Sequence, residues 1–154
     1  MKTEITLCFD FGNSRKKLAV FSNKKIIAER ILYTDTSGEI ETLLQEFKPQ
    51  KSILSSVINH NPGIEDTLKE KTHFHKLSVA TKLNFTAPVG KPETIGADRL
   101  AIAAAAVHFF PKKNNLVIGL GSCITYNFIS LELSLNRLRY QDKPAKRGFT
   151  WNGQ

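Results

Sequence analysis

Three short segments of the 154-residue chain hold residues whose types and spacing suit chemistry on a charged ligand. The first is Asp10-Phe11-Gly12-Asn13-Ser14, followed by Arg15, Lys16 and Lys17. Gly12 permits positive φ and close approach of backbone to a ligand. Asn13 and Ser14 offer side-chain donors, and successive N–H groups in such a turn form an anion cradle. Asp10 is placed to hold a cation or a water beside phosphates, and Lys17 and its basic neighbours add positive potential. The same residue types also make an ordinary hairpin turn. The second segment, Gly119-Leu120-Gly121-Ser122-Cys123-Ile124-Thr125, again places a Gly-Ser turn between apolar runs, with a hydroxyl at Thr125. The third is Gly96-Ala97-Asp98-Arg99. Its Asp98 either compensates a helix dipole or orients and deprotonates a substrate hydroxyl. Arg99 is either solvated or grips an anionic group, and Gly96 gives close access.

The elements that must position these segments are readable from periodicity. Glu4 to Phe9, Lys17 to Phe21 and Lys25 to Tyr33 read as an antiparallel meander with turns at Asp10–Ser14 and Ser22–Lys24. Ile40, Leu43, Leu44 and Phe47 recur at helical spacing, with Ser37 as expected N-cap and Pro49 beyond the end. Ser52 to Ile58 reads as a buried strand parallel to its predecessor, Pro62 to Lys71 as a helix opened by proline, and Phe74 to Val79 as a further strand. Lys82 to Pro92 is loop-like. A helix from Thr94, its expected cap, to Phe110 ends at Pro111. Asn115 to Leu120 and Cys123 to Ile129 are the next strands. This strand–Gly turn–strand unit repeats the opening one, which suggests two related halves. The resulting expectation is an α/β protein with one domain over 1–111 and an incomplete second over 112–154. The second half lacks its third strand and later elements, roughly 100 residues by comparison with the first. From about residue 130 the tail is basic and Pro/Gly-punctuated, with five basic residues (Arg137, Arg139, Lys143, Lys146, Arg147) against Glu132 and Asp142.

Composition excludes several classes. With 41% hydrophobic and 23% charged residues the chain is an ordinary globular one. No apolar run reaches the roughly 18 residues that span a bilayer, and Glu4 and Asp10 interrupt the first apolar segment, so no export signal or membrane role is expected. The net charge of +8 is scattered and lacks RNA-binding aromatic or zinc-finger spacing, so no nucleic-acid partner is expected. Cys8 and Cys123 sit in apolar runs and read as buried reduced thiols. His60, His73, His75 and His108 lack metal-ligand spacing.

In this order and spacing the three segments resemble the type III pantothenate kinase family, within the acetate kinase/sugar kinase/Hsp70/actin superfamily. The first phosphate motif of the family, Asp-x-Gly-Asn-Thr/Ser, is matched by Asp10, Gly12, Asn13 and Ser14. Its Gly-x-Asp-Arg motif is matched by Gly96, Asp98 and Arg99. Its second phosphate motif, Gly-Thr-x-x-Thr, is matched by Gly121 and Thr125, with Ser122 in the Thr place. The resemblance covers roughly residues 3 to 129.

It implies an actin-like ATPase (ribonuclease H-like) fold, complete in the first domain and only begun in the second. It also implies ATP-dependent phosphorylation of pantothenate to 4'-phosphopantothenate, in coenzyme A biosynthesis. Asp98 would be the catalytic base, with Gly96, Asp98 and Arg99 holding pantothenate. Asp10, Gly12, Asn13, Ser14, Arg15, Lys17, Gly121, Ser122 and Thr125 would hold the ATP phosphates. Mg²⁺ would lie at Asp10, and a monovalent cation (K⁺ or NH₄⁺) elsewhere. A cytoplasmic homodimer is implied, with the pantothenate pocket at the subunit interface. The chain departs from the family at three positions. Gly119 and Asn127 stand where the family usually has Asp, which bears on cation binding at the second turn. Val89 stands where a Tyr often precedes the Gly-x-Asp-Arg motif. The family's later segments are not recognisable after Ser130, so the tail reads as a truncated or frameshifted terminus. The rival expectation is a catalytically silent actin-like module acting in regulation or scaffolding.

Overall fold

A computed structural model of the chain describes residues 3–34, 36–87, 94–132 and 135–138. The departure at Val89 and the tail beyond 138 lie outside these residues. The chain opens as an antiparallel meander of β1 (Ile5–Phe11), β2 (Lys16–Ser22) and β3 (Lys25–Leu32). Strict alternation in β1 sends Leu7, Phe9 and Phe11 to one face and Thr6, Cys8 and Asp10 to the other, as the two-residue period of a strand requires. The turn into β3 is made by Asn23 and Lys24, both at positive φ (45° and 72°). Asn23 pins that turn to the start of β1: its Oδ1 accepts from the Glu4 amide at 3.1 Å.

Helix α1 (Ser37–Phe47) follows, then β4 (Lys51–Ser56), α2 (Pro62–Lys71) and β5 (His73–Lys76). The N-cap of α1 is Thr36, one residue before the expected Ser37. Thr36 Oγ1 accepts from the Glu39 amide, while Glu39 reaches back to the Thr34 amide and hydroxyl. In α2 Asn61 caps and Pro62 occupies the first helical position, where its missing N–H costs nothing. Strand β4 pairs in parallel with β1, not with β3, its predecessor in sequence. The α1 crossover carries the chain past the meander to the free edge of β1, giving the order β3-β2-β1-β4-β5. The main core lies between this sheet and α1/α2. Leu7, Phe9, Phe11, Leu18, Val20 and Leu54 pack there against Ile40, Leu43, Ile64 and Leu68.

Helix α3 (Ala97–Phe109) starts three residues later than the expected Thr94, with Gly96 as its N-cap. It touches β4 of the first sheet and also β6 (Asn115–Leu120) and β7 (Ile124–Ile129) of a second. A third strand, β8 (Leu135–Leu138), pairs antiparallel with β7. The expectation that the second half lacks its third strand is therefore corrected. β8 has only four residues, too short to show a period in sequence. Leu100, Ala103 and Val107 of α3 pack with Ile129 and Leu135 into a second core. Both cysteines are free, but only Cys8 is half-buried. Cys123 is exposed, correcting the expectation of burial, because β7 begins one residue after it.

Behind the first turn lies a polar chain. Ser56 Oγ meets His60 Nδ1 at 3.1 Å, His60 Nε2 meets Glu65 at 3.0 Å, and Lys76 Nζ reaches the same Glu65 oxygen at 2.6 Å. The His60 ring also stands edge-on to Phe11, with centroids 5.4 Å apart. Burial pushes the Glu65 carboxyl up, but Lys76 and His60 together hold it below its ordinary value. A carboxylate whose folded pKa is lowered contributes stability above its unfolded pKa, and that stability is lost as pH falls through the folded value. Glu65→Gln is accordingly expected to destabilise the fold by about 1 kcal/mol at neutral pH. In urea titrations the difference from wild type should shrink as pH drops below about 4. An unchanged difference at acid pH would show that charge is not the cause.

Candidate functional site

The three chemical segments converge on α3 from two sides. Asp10 is the penultimate residue of β1, on the face turned away from α1 and α2. Its cross-strand partner is Lys17 of β2 and its parallel partner is Ser55 of β4. The antiparallel register thus places a carboxylate opposite an ammonium, seven residues apart in sequence, because the hairpin returns on itself. Asp98 sits in the first turn of α3, exposed, with Oδ1 accepting from the Arg99 amide at 2.8 Å. Asp10, Lys17, Ser55 and Asp98 line one cleft of about 940 Å³ between the sheet and α3. Its remaining walls are largely apolar, among them Ile53, Leu77 and Ile102.

Burial is the main influence raising the Asp10 carboxyl above its ordinary value. Lys17 opposes it, and the nearby Asp98 charge adds to it. A carboxyl whose ionisation is opposed by burial and by a neighbouring negative charge favours a cation beside it. Mg²⁺ is held by one or two carboxylates, with water and phosphate oxygens completing the shell. Asp10 fits that donor set. Among the described residues no cluster of three His, Cys, Asp or Glu forms a protein-only metal cage.

Arg99 is buried. Its Nε donates to Asn127 Oδ1 at 2.7 Å, and its Nη2 donates to the Tyr126 carbonyl at 3.3 Å. Asn127 is fully buried and its Nδ2 donates to the Val117 carbonyl at 3.4 Å. The solvated reading of Arg99 is thus excluded. Its guanidinium ties the first turn of α3 to β7, and Asn127 carries the connection on to β6. Gly96 is required by close approach, since a Cβ there would collide with Asp98 Oδ1 and lie 3.3 Å from Val57 Cγ1. At Gly119 a Cβ would lie 2.6 Å from Thr125 Oγ1 and 3.4 Å from Ile102 Cδ1, so a larger residue there would force Thr125 to turn aside.

The first turn is closed by the Gly12 amide donating to the Arg15 carbonyl at 3.0 Å. Gly12 does not use positive φ, contrary to expectation, and a Cβ there would lie 3.4 Å from the Arg15 carbonyl, an ordinary contact distance. Asn13, Ser14 and Arg15 are exposed at the hairpin tip, as are Gly121 and Ser122 at the second turn. The cleft brings together Asp10, Lys17 and Asp98 and is not lined by Gly12, Asn13, Ser14, Arg15, Gly121, Ser122 or Thr125. One lining residue escaped the sequence reading. Ser55 is buried, and its Oγ has no hydrogen-bond partner among the described residues. Only the β1–β4 register shows that it stands beside Asp10.

Residues 6–134 match the type III pantothenate kinase family. A type III pantothenate kinase of Christiangramia forsetii is 38% identical over 125 residues, which are 80% of this chain and 51% of the relative. One of Cytophaga hutchinsonii is 32% identical over 129 residues, covering 82% of this chain and 52% of the relative. The chain thus spans about half the length of the curated relatives it matches. Among solved structures, the Aquifex aeolicus member of the Ppx/GppA family is 17% identical with a TM-score of 0.44, over 88% of this chain and 50% of that one.

The geometry sets two stability outcomes. Asp10→Asn should raise the melting temperature at neutral pH. A carboxyl whose folded pKa is raised favours folding below its unfolded pKa, and that contribution is lost as pH rises through the folded value. The gain should vanish below about pH 4; a loss of stability at pH 7 would reverse the assignment. Asn127→Leu should cost about 3 kcal/mol in denaturant unfolding, because it strands the buried Arg99 guanidinium.

Proposed function

The chain belongs to the type III pantothenate kinase family, and on that premise we propose that its cleft serves ATP-dependent phosphorylation of pantothenate to 4'-phosphopantothenate. The observation that carries this reading is the meeting of Asp10, Lys17 and Asp98 in one cleft from three separate elements. Phosphoryl transfer needs positioning and neutralised charge more than covalent chemistry. Asp98 acts as the base that accepts the proton of the primary hydroxyl. The first turn of α3 puts it at the cleft with an amide fixing one oxygen. Gly96 keeps that approach open, and Arg99 supplies a fixed positive charge beside it.

The β1–β2 turn, with Asp10, Gly12, Asn13, Ser14, Arg15 and Lys17, takes the phosphates of ATP from one side. Gly121, Ser122 and Thr125 take them from the other once substrate draws the turns together. When bound, Mg²⁺ supplies charge neutralisation on the phosphate oxygens, and Asp10 is the residue that holds it. K⁺ or NH₄⁺ finds no carboxylate at the second turn, where Gly119 and Asn127 stand, so any dependence on it is expected to be weak. The enzyme acts as a homodimer in the cytoplasm. No helix among the described residues is long and apolar enough to cross a membrane.

A coupled assay with ATP, Mg²⁺ and pantothenate tests the reading. Product is expected, and Asp98→Asn should lower kcat by about 10²–10⁴-fold with an unchanged circular dichroism spectrum. Full activity in that variant would remove Asp98 from its role. ATP binding without product would instead favour the silent regulatory or scaffolding module, towards which Gly119 and Asn127 point.

A further inference from the structure

We propose that Ser55 is a positioning residue of the cleft, and that its hydroxyl holds, through a bound water, the divalent cation that Asp10 ligates. The inference rests on the cation reading of Asp10 and adds to it the residue that fixes where the ion sits. Strand β4 carries three serines, and the two-residue period of a strand divides them between the faces of the sheet. Ser52 and Ser56 lie on the side of α1 and α2. There Ser52 Oγ meets Thr72 Oγ1 at 2.6 Å, and Ser56 Oγ donates to the Ile58 carbonyl at 3.0 Å. Ser55 alone of the three lines the cleft, in parallel register with Asp10. It is 7% exposed, and its Oγ has no hydrogen-bond partner among the described residues.

A buried hydroxyl without a partner costs free energy, so a fold that satisfies Ser52 and Ser56 leaves this one for a ligand. Neither Asp10 nor Asp98 takes its proton, although all three residues line the same cleft. A water-sized group between them satisfies the hydroxyl. Mg²⁺ keeps several of its waters when one or two carboxylates hold it, and each such water is a donor that needs an acceptor. The other polar residues of the cleft are poorly suited to that part. The Lys17 ammonium donates only. Asp10 is the ligand itself, and Asp98 stands across the cleft on α3 as the base. Glu29 and Arg30 belong to β3, which β2 separates from β1. Ser55 Oγ is the neutral acceptor next to Asp10. Its burial at the floor of the cleft suits the shell of a small ion better than the body of an organic substrate.

Titration of the full chain with Mn²⁺ alone, as a paramagnetic stand-in for Mg²⁺, tests the proposal through the electron paramagnetic resonance signal of the free ion. Asp10→Asn is the reference for loss of the site. Ser55→Ala is expected to weaken Mn²⁺ binding about tenfold, the lower end of what hydrogen-bond partners of a metal shell contribute. Ser55→Thr keeps the hydroxyl and should bind within about threefold of wild type, while Ser55→Val, its isostere without the hydroxyl, should bind like Ser55→Ala. Without metal, Ser55→Ala should melt at or above the wild-type temperature, because it removes an unpaired hydroxyl and strands no partner. Wild-type Mn²⁺ affinity in Ser55→Ala, or equal affinities in the Thr and Val variants, overturns the proposal. So does a raised KM for pantothenate with Mn²⁺ affinity unchanged, which would place Ser55 on the substrate instead. A metal-free Ser55→Ala that melts lower than wild type marks a structural serine and overturns it as well. A wild type that binds Mn²⁺ no better than Asp10→Asn removes the proposal together with the cation reading beneath it. The titration contains neither nucleotide nor pantothenate, so a failed kinase assay leaves its result standing.

Discussion

A buried guanidinium with a neutral partner governs how the two halves of this chain meet. Arg99 enters the protein from the first turn of α3 and ends on Asn127 and the Tyr126 carbonyl of β7. A charge taken out of water must be hydrogen-bonded on every side that faces protein, or the desolvation cost is not recovered. That requirement fixes the rotation of α3 about its own axis. With Arg99 turned towards β7, the adjacent Asp98 is carried to the opposite side, where the first sheet presents Asp10 and Lys17. The cleft therefore depends on a contact that lies outside it.

The same constraint explains two glycines. Helix α3 is clamped between two sheets, and the clearance on each side is set by small residues. Gly96 leaves room for the Asp98 carboxylate and Val57, while Gly119 leaves room for Thr125 and Ile102. The Ala-rich composition of α3 serves the same end, because Ala101 and Ala105 line the cleft on one side while Ala103 packs in the second core on the other. Larger side chains would wedge the sheets apart and separate Asp10 from Asp98.

The two sheets are unequal in what covers them. The first buries an apolar face under α1 and α2 and turns a mixed face towards α3. The second buries only the face that meets α3. An alternating apolar strand pair is built to have a layer on its apolar side, and the exposed Leu116, Ile118 and Leu120 are where that layer is lacking among the described residues.

The sequence by itself determined the alternation of β1 and β2, the capped helix α2 from Pro62 to Lys71, the strand Asn115–Leu120 and the identity of the acid and basic residues. Each of these follows from local periodicity or from one residue's backbone preference. Family membership was legible too, because it rests on ordered short motifs. What stands beside what was decided only by tertiary structure. β4 joins β1 across the α1 crossover, which brings Ser55 to Asp10. The four-residue β8 is too short to carry a period and forms only because β7 offers it an edge. The N-cap of α1 falls at Thr36 and α3 starts at Gly96, since caps are set by which hydrogen bond closes. Arg99 reads as a surface cation from its neighbours in sequence. Its burial comes from Asn127, 28 residues away, a partner no local pattern could supply.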